Sequence, residues 1–256
     1  MEKVTGRTAT AGVQFLISSF ETDKLPQGYY KKVGTVLQRR DSSGEGQSLL
    51  LFLRDMGPIW VSAPASKTKC RFGGAIEPLV WAEFDLYQSP ARLYLQGAEV
   101  KEDFISLRCS AEKLKSALRL YKRLSKTLMV GHESNNILIL LWSSMLLIKE
   151  NCPVDIVEYR FTWKLLKEAG LAPSLQYCVN CGSKLDSAAR WTNDGLICAS
   201  CSGTNKEDLD AEGLKSLRFA ALLNHDKFIE WTGSQKKSSL YTDELKKLVT
   251  FFTDMD

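Results

Sequence analysis

The sequence predicts an α+β protein: a small N-terminal β-barrel, then an all-helical domain carrying a four-cysteine metal-binding insert. Three observations predict it. Residues 31–109 hold short strand patterns at close spacing, with no helical period long enough to intervene, which favours a barrel over a parallel α/β sheet. From residue 110 the apolar period becomes that of a helix. Two Cys-x2-Cys pairs, Cys178/Cys181 and Cys198/Cys201, stand 16 residues apart late in the chain. With 256 residues, 44% hydrophobic and 25% charged, the chain has an ordinary globular balance and the size of one or two domains.

Residues 1–30 are weakly patterned, close on the turn signal Leu25-Pro26-Gln27-Gly28, and read as an N-terminal extension. Strands are expected at 33–40, 49–54, 59–63, 79–87, 93–99 and 104–109, with a loop at 41–46 and a turn at Ser89-Pro90. This makes 31–109 the barrel domain and 110–256 the helical domain. Ser110 is a suitable N-cap for a helix to about residue 130, with Glu112 in its first turn. Its apolar face would be Leu114, Ala117, Leu118, Tyr121, Leu124 and Leu128. A second helix, about 135–150, is apolar nearly all round and is expected at the centre of the helical core. A third, about 154–169, stops at Gly170. The cysteine insert fills about 174–204, and two further helices are expected near 211–223 and 243–252.

The cysteine spacing matches that of four-cysteine zinc sites. Two intervening residues let a tight turn bring both sulfurs to one ion at ~2.3 Å, and two such turns complete a tetrahedron. Gly182, directly after the first pair, can take the positive φ such a turn needs. Four thiolates leave no open coordination position, so the expected Zn2+ is structural. Of the other thiols, Cys109 and Cys152 read as small core residues and Cys70 stays unassigned. An odd total of seven cysteines fits a reducing compartment rather than a disulfide framework. The apolar stretch at 13–17 is too short for a signal peptide, and the run at 137–148 is well short of the ~20 residues of a membrane span.

The net charge of +4 hides its distribution. Residues 31–130 carry net +7 and residues 131–256 net −3; the expected helix from residue 110 holds six basic residues against one acidic, net +5. There Lys115, Arg119, Lys122 and Lys126 form one stripe, which reads either as a solvated outer face or as a phosphate-binding one. Arg39-Arg40 and Lys67, Lys69 and Arg71 form a second basic group, interleaved with Trp60, Phe72, Trp81, Phe84, Tyr87 and Tyr94. Exposed rings of this kind can stack bases while the cations neutralise phosphates. Catalysis finds little support. GxxxxGK[ST], GxGxxG and GxSxG motifs are missing, His132 reads as a loop residue, and Asn224-His225-Asp226 reads as a surface turn. A zinc-dependent hydrolase would need an open metal position and a base. A zinc-ribbon interaction scaffold without a DNA role remains the stronger alternative.

These parts, in this order, resemble the RecO family of bacterial recombination-mediator and DNA-repair proteins. Residues 36–45 (VLQRRDSSGE) are similar to the family's opening strand and Gly-Glu loop, and residues 51–57 (LFLRDMG) to its second strand and turn. Residues 69–78 (KCRFGGAIEP) resemble its basic loop and the strand entry after it. Residues 165–173 (LLKEAGLAP), followed by Cys178-x2-Cys181-Gly182, resemble its helix-to-zinc junction. The resemblance implies an OB-fold barrel, a helical domain and a structural zinc ribbon. It implies a non-enzymatic protein of the bacterial cytoplasm, associated with the nucleoid and not with a membrane. It also implies binding of single- and double-stranded DNA, annealing of complementary strands, and work with RecR, single-strand-binding protein and, indirectly, RecA. It carries Arg39, Lys67, Lys69 and Arg71 into the family's DNA-binding region; the stripe on the basic helix rests on charge alone. Two departures stand out: Ala63-Pro-Ala-Ser66 replaces a denser basic run after the third strand, and residues 1–30 have no counterpart.

Overall fold

The structure is a computed structural model and describes residues 25–41, 46–64, 72–203, 208–235 and 239–253. Five strands form a closed barrel of OB type: β1 (Gly28–Asp41), β2 (Gly46–Leu53), β3 (Gly57–Pro64), β4 (Trp81–Gln88) and β5 (Leu93–Glu102), in the order β1-β2-β3-β5-β4. β1 is long enough to pair twice. Its first half runs antiparallel to β4 and its second half to β2, with a bulge between Val36 and Gln38. Gly34 sits where the two pairings overlap. A Cβ there would lie 2.0 Å from the carbonyl oxygen of Phe52, so only glycine lets the strands approach this closely. β3 and β5 close the barrel through one parallel pairing, Ser62 with Tyr94.

The run of five apolar residues in β2 shows how the barrel is built into the rest. Leu49, Leu51 and Leu53 point inside, with Val36, Val61, Phe84, Leu86 and Leu95. Leu50 and Phe52 point outward and belong to the helical core. Strand alternation therefore feeds two cores from one segment.

The helices are α1 (Ile105–Arg108), α2 (Ala111–Thr127), α3 (Asn135–Lys149), α4 (Val154–Glu168), α5 (Ala199–Ser202), α6 (Ala211–Leu222), α7 (His225–Gly233) and α8 (Leu240–Thr253). A hairpin of β6 (Ala189–Thr192) and β7 (Gly195–Cys198) lies within the cysteine insert. Ser110 caps α2, accepting from the Lys113 N–H, and Gly170 follows α4 with φ +73. The barrel meets the helices where Thr35 Oγ1 donates to the Val80 carbonyl at 2.8 Å and accepts from the Tyr121 hydroxyl at 2.9 Å.

Several expectations are corrected. The sixth strand, 104–109, is instead the short helix α1. Glu102 and Asp103 accept the N–H groups of Phe104 and Ile105, which a strand would have offered to a ladder. β1 begins at Gly28, inside the expected extension, and Leu25 and Tyr30 pack on the barrel core. His225 opens a helix rather than a turn, because Asn224 caps it by accepting from Lys227 N–H. On α2 the buried face is Ala117, Leu120, Tyr121 and Leu124, and Leu118 is 42% exposed. Cys152 is buried as expected, but Cys109 is exposed, and Cys70 lies outside the described residues.

The central helix is α4, not the more apolar α3. Every residue from Ile156 to Trp163 is buried, and α4 packs against α2, α3, α6 and α8. On α3, by contrast, Ile139 remains 57% exposed. Arg160 of α4 donates to the carbonyls of Ala220 (2.8 Å) and Leu223 (2.6 Å) and stacks on Phe228 at 4.4 Å. It thereby satisfies the open C-terminal end of α6. Replacing Arg160 with Met leaves those carbonyls unpaired in a buried place. We expect a loss of about 2–3 kcal/mol in denaturant unfolding, and a change under 0.5 kcal/mol would show that this contact is dispensable.

Candidate metal centre and basic surface

The insert opens where Leu175 and Leu185 are tied down by Arg218 of α6, which donates to both their carbonyls. The chain then makes its first Cys-x2-Cys turn. The Gly182 N–H bonds the Cys178 carbonyl at 2.9 Å, and Gly182 takes φ +71, the conformation expected of it. The β6–β7 hairpin delivers the second pair, with Cys198 at the end of β7 and Cys201 within α5. Val179 N–H bonds the Leu196 carbonyl at 3.0 Å, which holds the two turns against each other.

The four sulfurs of Cys178, Cys181, Cys198 and Cys201 all lie within 4.8 Å of one another, so they could hold a metal ion. Cys181 and Cys198 stand 3.8 Å apart. A tetrahedron with metal–sulfur bonds of ~2.3 Å has edges of about 3.8 Å, the spacing of this pair, and the other sulfurs lie near enough to close on one ion. Two of the thiols, Cys178 and Cys198, are also prepared for ionisation. Burial resists it at Cys178, but the N–H groups of Cys181, Cys198 and Asn180 outweigh burial and bring that thiol down to about 6. The Cys201 N–H lowers the Cys198 thiol as well. The Cys201 thiol is instead pushed up to about 12 by its hydrogen bonds to Cys181 and Cys198. A cation among the sulfurs is what would allow that thiol to ionise.

On the basic helix α2, the expected stripe is exposed along its length at Lys115, Arg119, Lys122 and Lys126. Its members differ in kind. Arg119 reaches back and chelates Glu158, with Nε at 3.1 and 3.0 Å from the two carboxylate oxygens. The Glu158 side chain is 3% exposed, so Arg119 neutralises a charge inside the core. No ion pair engages Lys115, Lys122 or Lys126 among the described residues.

In the barrel, Arg39 is paired with Glu77, and Arg40 lies over the Trp60 ring at 4.4 Å. Lys67, Lys69 and Arg71 lie outside the described residues. Of the aromatics singled out, Phe84 is inside the barrel and Trp81 is buried against Trp142 of α3, 4.8 Å between centroids. Trp60, Phe72, Tyr87 and Tyr94 are half-buried. Tyr29, 81% exposed, was hidden from sequence reasoning by its place in the expected extension.

Residues 108–252 match the family described as Recombination protein O C terminal. The chain belongs to the RecO family. Proteins named DNA repair protein RecO are similar over most of their length. The one from Alkaliphilus metalliredigens (strain QYMF) is 28% identical over 177 residues, 68% of this chain and 72% of that protein. The one from Bacillus pumilus (strain SAFR-032) is 27% identical over 173 residues, 67% and 68%. The one from Thermoanaerobacter sp. (strain X514) is 23% identical over 229 residues, 86% and 90%. RecO membership agrees with the barrel-helix-insert order, and among the described residues no helix is long and apolar enough to cross a membrane.

Two outcomes follow. Cys178→Ser should abolish metal content, measured by elemental analysis, and lower the melting temperature; a metal-free variant melting with the wild type would rule out a structural role. Arg119→Gln should cost about 2 kcal/mol by stranding Glu158, whereas Lys115→Gln and Lys122→Gln should stay within about 0.5 kcal/mol of wild type in urea unfolding.

Proposed function

We infer that this RecO chain is a DNA-repair protein that binds single- and double-stranded DNA without sequence preference and anneals complementary strands. The observation that carries the reading is an OB-type barrel joined to the family's helical domain, with unpaired cations exposed on α2 beside it. OB barrels hold single strands by stacking and by charge. Each phosphate met by a lysine or arginine releases counterions, so binding should weaken steeply with salt. Two strands held with their repulsion screened can find their complement. That is binding rather than bond-making chemistry, and the protein is read as a mediator and not an enzyme.

The cysteine ion is read as Zn2+, because four thiolates in a tetrahedron suit it, and its role as structural. RecR, single-strand-binding protein and RecA are the proposed partners, and the bacterial cytoplasm the proposed setting. One surface supports a protein contact. Ile139 stands beside a hollow of about 300 Å³ lined also by Trp163, Lys164 and Lys167. Burial, with the nearby charges of Arg160 and Lys167, pushes the Lys164 amine down to about 8. With Ile139 exposed beside it, the hollow suits an apolar side chain of a partner protein, and Glu168 lines it as well as the two lysines.

The test is annealing of complementary oligonucleotides, bare and coated with single-strand-binding protein, across a salt series. We expect faster annealing than the spontaneous reaction. Charge reversal at Lys67, Lys69 and Arg71 should weaken binding and flatten the plot of log affinity against log salt. An unchanged slope would move the phosphate contacts to Lys115, Lys122 and Lys126. Absent or salt-insensitive binding would leave a zinc-ribbon scaffold.

A further inference from the structure

Strand register sets three tyrosines side by side on the outside of the barrel. Tyr29 of β1 is directly opposite Tyr87 of β4, and Tyr87 is directly opposite Tyr94 of β5. Residues paired in this way point to the same face. That face is the outer one, because their neighbours Tyr30, Leu86, Leu93 and Leu95 pack into the barrel interior. Adjacent strands are ~4.8 Å apart, and the Tyr29 and Tyr87 centroids are 4.8 Å apart at 47°. The row continues from Tyr94 to Ser62 of β3, then to Ser48 of β2 and Arg40.

The rings are held, and only partly covered: Tyr87 and Tyr94 are half-buried. Gln27 donates to the Tyr87 hydroxyl at 3.0 Å, which fixes the middle ring, while Tyr29 is 81% exposed. Three rings in line are more than the scattered apolar exposure of an ordinary surface. Their surroundings narrow the occupant. Exposed Arg92 lies two residues from Tyr94, and Arg40 on Trp60 ends the row, so cations flank rings. The small side chains of Ser62 and Ser48 leave the path between them low. Rings spaced along a path with cations at its edge are what an unpaired strand requires, since every base offers a face to stack and every phosphate a charge to meet. Bases stacked inside a duplex cannot use it.

We propose that Tyr29, Tyr87 and Tyr94 form a stacking lane for the unpaired bases of single-stranded DNA, crossing the strands of the barrel. The proposal rests on the DNA-binding reading above and assigns the base contacts within it. The lane contributes affinity for single strands, not for duplex, and contributes it without adding phosphate contacts.

The test measures binding of the full chain to an oligothymidylate of about 16 nucleotides, to an abasic strand of equal length, and to a duplex. Tyr29→Ala and Tyr94→Ala should each weaken oligothymidylate binding about tenfold, while Tyr29→Phe stays close to wild type. The salt slope should not move, because no phosphate contact is lost. Abasic and duplex affinities should be unchanged, and matched melting temperatures will show that the variants are folded. Wild-type affinity for oligothymidylate in both alanine variants would overturn the lane while leaving DNA binding intact. Equal losses on the abasic strand would overturn it too, by pointing to the backbone. A wild-type chain that binds no DNA would sink the lane together with the reading beneath it. Self-association lost in Tyr29→Ala, with DNA affinity unchanged, would make the row a protein interface instead.

Discussion

Helix α4 can sit at the centre of the helical domain only because its charges are answered. Glu158 and Arg160 are both buried, on a helix closed in by four others. An unpaired charge in such a place is strongly destabilising. Glu158 is chelated by Arg119 from α2, and Arg160 spends its donors on the end of α6 and its face on Phe228. Thr162, one turn further on, accepts from Arg123 of α2. These contacts specify which helices neighbour α4 and in what register, because each donor has a fixed reach. Apolar packing alone would tolerate sliding; these pairings do not.

The same demand shapes the surface. Two of the six cations on α2, Arg119 and Arg123, turn toward α4, while Lys115, Lys122 and Lys126 stay in solvent. The basic stripe is therefore part structural and part free, a division that charge counting cannot make. Core and surface are likewise divided within the barrel. Along the outer side of β1, Thr35 lies beneath Tyr121 of α2, Lys31 is engaged by Glu83 and Asp85, and Tyr29 is open. At ~3.4 Å per residue the open end lies about 20 Å from the covered one. The helical domain roofs one end of the barrel wall and leaves the other end open.

What could be read from sequence follows from how local each feature is. The cysteine site was legible because a chelate turn is fixed by two intervening residues and a glycine, and needs no tertiary context. Ser110 and Gly170 were legible for the same reason, as caps act on adjacent backbone. The sixth strand failed because Glu102 and Asp103 divert the backbone into a helical turn, a side-chain effect that hydrophobic period does not register. The choice of α3 over α4 failed because apolar content measures what a helix can bury, not what it does bury once its charges find partners. Tyr29 was missed because the residues around it carry no pattern; its meaning comes from Tyr87, 58 positions away, through strand register.

On the proposed reading, the acidic and basic groups on the barrel wall bear on how the tyrosine row and the α2 lysines could cooperate. Between the open end and the roofed end lie two cations, Lys31 and Lys101, against three carboxylates, Glu83, Asp85 and Glu99, ion-paired along the surface. Their mutual pairing leaves a slight negative excess, which offers phosphates nothing. On that reading a strand lying on the tyrosine row would therefore not be drawn along the wall toward α2, and the lysines of α2 would remain free for a second strand or a duplex. At physiological ionic strength the screening length is about 8 Å, shorter than the separation of the two ends, so occupation of one surface does little to repel DNA from the other. On the proposed reading that separation is what annealing needs: two strands held on one protein, close enough to meet and too far apart to repel each other before they do.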